Sequence, residues 1–511
     1  MAFEKLLAEF EARRAKALAM GGADKLARRK QAGQLNARER IAALVDDGSF
    51  MESGLFGTSG VYPQQAAETP ADGKIAGYAK INGRDVAIVV NDFTVKGAST
   101  SATNSKKVAH MKRTATERGM PLVVIGESTG ARLPDAMGSR GMGLLLGNDI
   151  TQFRRTREVP LATAVIGPSF GSSAWLACLA DFTVMCKGAT MAVSSPRLIE
   201  MALGEKVDLA ELGGWRLHAE VTGLVDQVVD TEEEMFGAIK AFLSYLPSHH
   251  REAPPDAPVP AGSGAGMKEV FSFLPEKRTQ VYDMKRVAQA LVDKNTLFEL
   301  KPRFGKSAVT ALARLGGKSV GIVANNPLHR GGALDADACR KIVDFLVLCD
   351  SFNVPIVLLV DTPGFQIGTE AERTGAPGKI MNFMNAITLV TVPKLSVILR
   401  KSYGRAYVCM GGGRHSDDIA AWPTAEVSFM DPNYAVTVVA GIKPGEPGFE
   451  DKRALMEKDS SVYDIASIYA VQDVIEPART RDYLIRMLDV HQLRTSKGVG
   501  RHLLASWPTS Y

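Results

Sequence analysis

Two short stretches carry the residue types from which charge-stabilising chemistry is built. Gly167-Pro168-Ser169-Phe170-Gly171-Ser172-Ser173 follows the apolar run 159–166 and opens a helical pattern over 173–179, and Arg400-Lys401-Ser402-Tyr403-Gly404-Arg405-Ala406 follows the apolar run 392–399. A helix start presents unpaired backbone N–H groups and the positive end of the helix dipole, so it can hold an oxygen that gains negative charge. Glycine beside it lets a ligand approach the backbone. Two such donors make an oxyanion hole, each worth about 3–4 kcal/mol of transition-state stabilisation in a protease where one was removed. Because the donors are main-chain groups, the side chains at Ser172 and Arg405 are free to vary. The first stretch also matches the G-x-S-x-G nucleophile elbow of serine hydrolases. Asp181 and His218 are the available partners for Ser169, but neither follows an apolar strand of the kind that presents a triad.

Four more small-residue turns come in matched pairs. Lys96-Gly97-Ala98-Ser99 corresponds to Arg330-Gly331-Gly332-Ala333, and Ser128-Thr129-Gly130-Ala131 to Thr362-Pro363-Gly364-Phe365. The correspondence is a constant offset of about 234 residues. It aligns 83–91 (GRDVAIVVN) with 317–325 (GKSVGIVAN) and 119–130 (GMPLVVIGESTG) with 353–364 (NVPIVLLVDTPG), and at 233 it brings Gly171 onto Gly404. Leu44-Val45-Asp46 likewise matches Leu291-Val292-Asp293. The chain therefore reads as two tandem copies of one fold.

Each copy must supply the elements that position these turns. The pattern predicts a strand at 86–90, an amphipathic helix through 106–117 and a strand at 122–126, then again a strand at 320–324, an amphipathic helix through 336–351 and a strand at 356–360. Continuous apolar strands alternating with helices indicate an α/β fold with buried, largely parallel strands, whose function sits in the turns after the strands. Residues 247–266, rich in proline and glycine, read as a linker between a domain over 1–246 and a domain over 267–511.

With 511 residues, 45% hydrophobic and 23% charged, the chain has the composition of a soluble globular protein and not of a disordered or fibrous one. A net charge of +5 without a Lys/Arg block disfavours nucleic acid as the main partner. The five cysteines lack CxxC spacing and the eight histidines lack a metal-binding pattern, so no metal site is expected. No run reaches the ~18 apolar residues of a membrane span and the first residues lack a secretory pattern, which predicts a cytoplasmic location.

The sequence resembles the carboxyltransferase (β) subunits of biotin-dependent acyl-CoA carboxylases, of the propionyl-CoA and methylcrotonyl-CoA type, and their decarboxylase relatives. The resemblance runs in order through 35–41 (LNARERI), 47–50 (DGSF), 91–95 (NDFTV), Gly204-Glu205, 211–214 (ELGG), 325–327 (NNP), 361–365 (DTPGF), 400–407 (RKSYGRAY) and 421–426 (AWPTAE). It implies an α/β architecture of two tandem crotonase-like (ClpP/crotonase) domains and a homohexamer, a trimer of dimers. The N-terminal domain would bind the acyl-CoA substrate. The C-terminal domain would bind carboxybiotin, carried on a separate chain by a biotin carboxyl carrier protein and charged by a biotin carboxylase.

On this resemblance, Gly171 and Ser172 would hold the thioester oxygen, and Arg405 and Ala406 the biotin ureido oxygen. Gly97, Ala98, Gly130, Ala131, Gly331, Gly364, Phe365, Tyr407 and Val408 would line the substrate sites. The family's usual GPCAGGA reads GPSFGSS here. YGRAY resembles the methylcrotonyl and geranyl branch, whereas AWPTAE resembles the propionyl and acetyl branch. The acyl group implied is short, such as propionyl, accepting CO2 at its α carbon or a vinylogous γ carbon. The alternatives are the transferase subunit of a biotin-dependent decarboxylase, a non-catalytic scaffold and the serine hydrolase. No biotinylation motif of the AMKM type is present.

Overall fold

The computed structural model describes residues 2–508 except 61–62, 147–150 and 152. It divides into two compact units, Met1–Ser244 and Tyr245–Tyr511. In the first, β1 (Met51–Ser53), β2 (Lys74–Ile81), β3 (Arg84–Asn91), β4 (Leu122–Ser128), β5 (Leu161–Phe170), β6 (Phe182–Cys186) and β8 (Gln227–Val229) form one sheet in the order β1-β2-β3-β4-β5-β6-β8, with β7 (Thr190–Ala192) paired to the end of β5. In the second, β9 (Phe298–Leu300), β10 (Ala308–Leu315), β11 (Lys318–Asn325), β12 (Ile356–Thr362), β13 (Lys394–Tyr403), β14 (Asp418–Ala421) and β16 (Asp473–Val474) repeat that order, and β15 (Glu426–Ser428) pairs with the end of β13. Each sheet opens with three antiparallel strands and continues parallel. The antiparallel leading strand before each expected strand, β2 and β10, was not among the expected elements.

The helices that bear on the two sites and their surroundings are α1 (Ala37–Leu44), α2 (Ala102–Arg118), α3 (Ser172–Leu179), α4 (Pro196–Leu203), α5 (Ala336–Ser351), α6 (Gly404–Cys409) and α7 (Pro432–Ala440). α2 starts where Ser101 and Asn104 cap each other reciprocally, and it ends on Gly119 at φ 72°. The expected amphipathic α5 differs from its pattern. Only Asp337, Arg340 and Asp344 escape full burial on it, so it is enclosed on all sides instead of lying on a surface. Gly321 on β11 is what lets it approach, since a Cβ there would stand 2.6 Å from Cys349 Sγ. On the other face of that sheet Val320, Ile322, Ala324, Val357, Leu359, Val397 and Trp422 pack into one continuous core. The proline-rich segment 247–266 runs along the second unit, where Asn353 Nδ2 donates to the carbonyls of His250 and Glu252, and Ala257 N donates to Gly317 O at 2.9 Å.

The two units share side-chain devices as well as strand order. Asp46 accepts from the amides of Asn82 and Gly83 at 2.9 and 2.7 Å, and Asp293 from those of Gly316 and Gly317 at 3.1 and 2.8 Å, each carboxylate closing the hairpin between the paired strands. Lys107 on α2 donates to the carbonyls of Ala71 and Lys74, and Lys341 on α5 to those of Phe304 and Ala308. Burial pushes the Lys341 ammonium down to about 7. Glu127, in β4, and Asp361, in β12, are buried carboxylates that each hold two cations. Glu127 takes Arg29 at 2.5 Å and Arg40 of α1 at 2.8 Å, and Asp361 takes Arg400 at 2.7 Å and Lys401 at 3.0 Å. Removing one member of such a set leaves buried charge uncompensated. Asp361→Ala is therefore expected to lower stability by about 3–5 kcal/mol, read from the denaturant unfolding of the full chain. A loss below about 1 kcal/mol would show that the two cations find other partners.

Candidate active site

The turns that follow β3, β4 and β5 converge in the first unit, and those that follow β11, β12 and β13 converge in the second. Asn91, the last residue of β3, donates from Nδ2 to Glu127 O at 3.1 Å, and Asn325, the last of β11, donates to Asp361 O. Thr100 N donates to Gly130 O and Arg132 N to Thr100 O, both at 2.8 Å. Leu334 N to Gly364 O at 3.1 Å and Gln366 N to Leu334 O at 2.9 Å reproduce this bridge in the second unit. The hydroxyl of Ser128 donates to Ala98 O, and that of Thr362 to Gly332 O. The expected positions Gly97, Ala98, Gly130 and Ala131 are thus held together in one knot, as are Gly331, Gly364 and Phe365 in the other. Gly97 has φ 60° and a Cβ on it would stand 2.6 Å from Thr129 Cγ2, so this turn closes only on glycine.

Beside each knot the central strand ends in a helix start. β13 passes into α6 at Gly404, whose φ is 60°, so Arg405 and Ala406 present N–H groups that have no acceptor inside the helix. Ala406 is buried, Arg405 is exposed, and Tyr407 and Val408 are half-buried. The two carboxylates bonded to this strand are already neutralised: Asp361 by Arg400 and Lys401, and Glu426, which accepts from Tyr403 Oη at 2.8 Å, by Arg278 at 2.8 Å. No bare anion competes from these two groups for an acceptor oxygen placed on the Arg405 and Ala406 amides.

The first unit departs from expectation by one residue. Gly171 N donates to Ala192 O at 3.3 Å, because the pairing of β5 with β7 runs one step past Phe170, and α3 begins at Ser172. The unpaired amides after Gly171 are therefore those of Ser172 and Ser173, and Gly171 contributes its backbone shape, φ 62° and ψ −125°. The 233-residue offset contained this answer, since it places Ser172 and Ser173 on Arg405 and Ala406. The hydroxyl of Ser172 bonds Thr100 Oγ1 at 2.9 Å and that of Ser173 bonds Ser169 Oγ at 2.7 Å.

The hydrolase arrangement is not assembled. Ser169 is buried and its hydroxyl meets Ser173, His218 bonds Met191 O at 2.7 Å and Thr222 Oγ1 at 3.1 Å, and Asp181 binds Arg155 and the Leu161 amide. Burial also lowers the pKa of His218. Of the two basic residues near the first knot, Lys96 is exposed and pairs with Glu68, whereas Arg132 is buried against Asp72 and Ser99. Among the described residues no group of three or more His, Cys, Asp or Glu is placed to hold a metal ion, and no helix is long and apolar enough to cross a membrane.

Two duplicated α/β units, each passing from its central strand into a helix start and, among the described residues, without an assembled Ser169, His218 and Asp181 triad, define a class of protein other than the serine hydrolases. The carboxyl transferase domain model matches residues 28–499, and the chain belongs to that family. It is 34% identical to the propionyl-CoA carboxylase carboxyltransferase subunit of Haloferax mediterranei, covering 97% of this chain and 98% of the relative. It is also 34% identical to the methylmalonyl-CoA decarboxylase subunit alpha of Veillonella parvula, covering 93% of each. Among solved structures, the hexameric transcarboxylase 12S with methylmalonyl-coenzyme A and methylmalonic acid bound superposes with a TM-score of 0.88 at 32% identity, over 96% of both chains. The fold is accordingly the crotonase-like carboxyltransferase fold, and the protein is an enzyme, a carboxyltransferase of the acyl-CoA carboxylase type.

Substitutions at the first helix start test both its residues and its shape. Ser169→Ala is expected to keep nearly full transferase activity and the protein to resist fluorophosphonate labelling; label on Ser169 would restore the hydrolase. At Gly171 a Cβ has room, its nearest neighbour being Gly130 Cα at 4.0 Å, so Gly171→Ala tests backbone shape alone. It should cost about 1–3 kcal/mol in strain, visible as a lowered melting temperature, and should reduce turnover by displacing the Ser172 amide.

Proposed function

We propose that this chain transfers a carboxyl group between biotin, carried on a separate protein, and the α carbon of a short-chain acyl-CoA such as propionyl-CoA. The observation that carries the reading is the duplicated pair of free amides, Ser172 with Ser173 and Arg405 with Ala406, each at a helix start behind a central strand. An α carbon beside a thioester is a weak acid because its enolate puts charge on the thioester oxygen, and amides fixed in place before the reaction stabilise that charge without reorganising. The first unit is assigned the acyl-CoA, with the thioester oxygen on the Ser172 and Ser173 amides. In the second, the Arg405 and Ala406 amides fit a ureido oxygen, an acceptor that would gain negative charge when its ring nitrogen is without the carboxyl group and would then rest on those two donors. Carboxybiotin, when bound, supplies the CO2 and the base. The chain's own residues bind, orient and hold charge, which explains why the knots need no acidic or basic side chain aimed at a substrate.

Carboxylation is the direction we assign, with a biotin carboxylase and a biotin carboxyl carrier protein as partners. The decarboxylase reading rests on the equal identity to the Veillonella parvula subunit and uses the same half-reaction. Assembly as a homohexamer is supported by two unpartnered apolar faces. α4 has no buried residue and exposes Leu198, Met201 and Leu203, and α7 exposes Tyr434, Val438 and Val439.

Incubation of the purified chain with free biotin and a panel of malonyl-type CoA esters is expected to yield carboxybiotin, fastest from methylmalonyl-CoA. Transfer from none of them would overturn the reading. Co-purification of an ATP-dependent biotin carboxylase, as opposed to a membrane-embedded partner, separates the two directions. Arg405→Ala should keep at least about a third of the activity, because the donor is the backbone, whereas Arg405→Pro should lose it by about 100-fold or more, the effect of one missing donor. Equal activity in the two variants would place the second hole elsewhere.

A further inference from the structure

A charged group to which the steps above assign no role lies against the first helix start. Lys74, the first residue of β2, is buried, and together with Thr100, Ser105, Ser172 and Ser173 it lines one small cavity against α3. Its Nζ donates to Asn91 Oδ1 at 3.0 Å. The charged groups facing it are Asp72, Arg132 and Lys107. Asp72 is already bound by Arg132 and accepts from Ser101 and Asn104, and Lys107 is bonded to backbone carbonyls, including that of Lys74 itself. The ammonium therefore has no carboxylate of its own, and burial pushes its pKa down to about 8.

The fold does not require this lysine. At the matching place in the second unit stands Ala308, opposite Asn325 in the same register that sets Lys74 opposite Asn91. There the Asn325 Oδ1 accepts the Asp361 amide at 2.8 Å. The buried lysine that both units do share is the Lys107 and Lys341 pair, which clamps carbonyls at the start of the leading strand. Lys74 is thus an addition to the first unit alone, at a place where an uncompensated cation is costly. Buried beside Ser172 and Ser173, it acts on an oxygen at their amides with less screening than a surface charge would meet.

We propose that Lys74 is a positioning residue of the first site, whose ammonium supports negative charge on an oxygen held by the Ser172 and Ser173 amides. This rests on the carboxyltransferase reading above, and the ligand concerned is the enolate of an acyl thioester. From the cavity that it lines with Ser172 and Ser173, Lys74 discriminates between the neutral thioester and its anion. Since the ammonium is charged below about pH 8 and neutral above, turnover falls as pH rises through that value.

The test compares the full chain with Lys74→Met by steady-state transfer across this pH range and by calorimetric binding of two CoA analogues. One carries an unreactive thioester mimic and the other a nitro group that ionises to a nitronate. In the variant, kcat is expected to fall about ten-fold or more with KM unchanged, and the decline of activity above about pH 8 to disappear. Nitronate affinity should fall by a similar factor while the neutral mimic binds as before, an outcome a merely misfolded variant would not give. An unchanged ratio of nitronate to neutral affinity overturns the proposal, as does a wild-type kcat that is flat through about pH 8. Failure of the wild type to transfer carboxyl from any CoA ester sinks the parent reading instead, and the binding arm still decides the role of Lys74.

Discussion

A carboxylate buried in the strand that precedes each active turn is the constraint on which the rest of the molecule is built. Glu127 and Asp361 could not be placed inside the protein without cations, because an ion removed from water costs several kcal/mol unless it is paired and hydrogen-bonded. The cations come from elsewhere in the chain. Arg29 and Arg40 belong to the segment before the first sheet, and Arg400 and Lys401 to the next strand of the second. Arg40 also reaches Glu232 at 2.7 Å and Arg400 reaches the carbonyls of Pro275, Lys277 and Gln280, so each carboxylate ties its strand to remote segments. Gly167, where a Cβ would stand 2.7 Å from Glu127 Oε2, shows how closely the neighbouring strand has adapted to that charge.

From this anchor the site is built by short steps. An asparagine at the end of the preceding strand bonds the backbone of the anchored residue, the two turns bridge to each other, and the central strand is left to end in a helix with its first amides free. Chemistry done by main-chain donors, as proposed for these helix starts, tolerates change in the side chains around them, and Ser172 and Arg405 occupy equivalent places in the two units. It does not tolerate change in backbone shape, and glycine with positive φ stands at both junctions, Gly171 and Gly404.

The two copies differ where their ligands are proposed to differ. The first site has serine hydroxyls and a buried ammonium around its amides, suited to an oxygen that gains full negative charge. The second has ion-paired carboxylates and an exposed arginine around its own, suited to a carbonyl that stays attached to a mobile carrier. Duplication supplied one scaffold, and a few polar substitutions give its halves separate electrostatics.

Much of this was legible in the sequence. The offset near 234 exposed the duplication, apolar runs bounded by glycine located β3, β4, β11 and β12 to within a few residues, and the small-residue turns after them were recognisable because tight backbone geometry restricts residue type locally. Family membership was legible as well, through motifs that run in order along almost the whole chain. What only the tertiary structure decided were features that depend on partners far apart in the chain. The Gly171 amide is taken because Ala192 lies beside it, α5 is enclosed although its pattern looks amphipathic, Arg132 is buried by Asp72, and Lys74 lines one cavity with the serines of α3 across about a hundred residues. Periodicity and turn chemistry are properties of neighbouring residues, whereas the burial of a charge or the availability of an amide is set by whatever the fold brings against it.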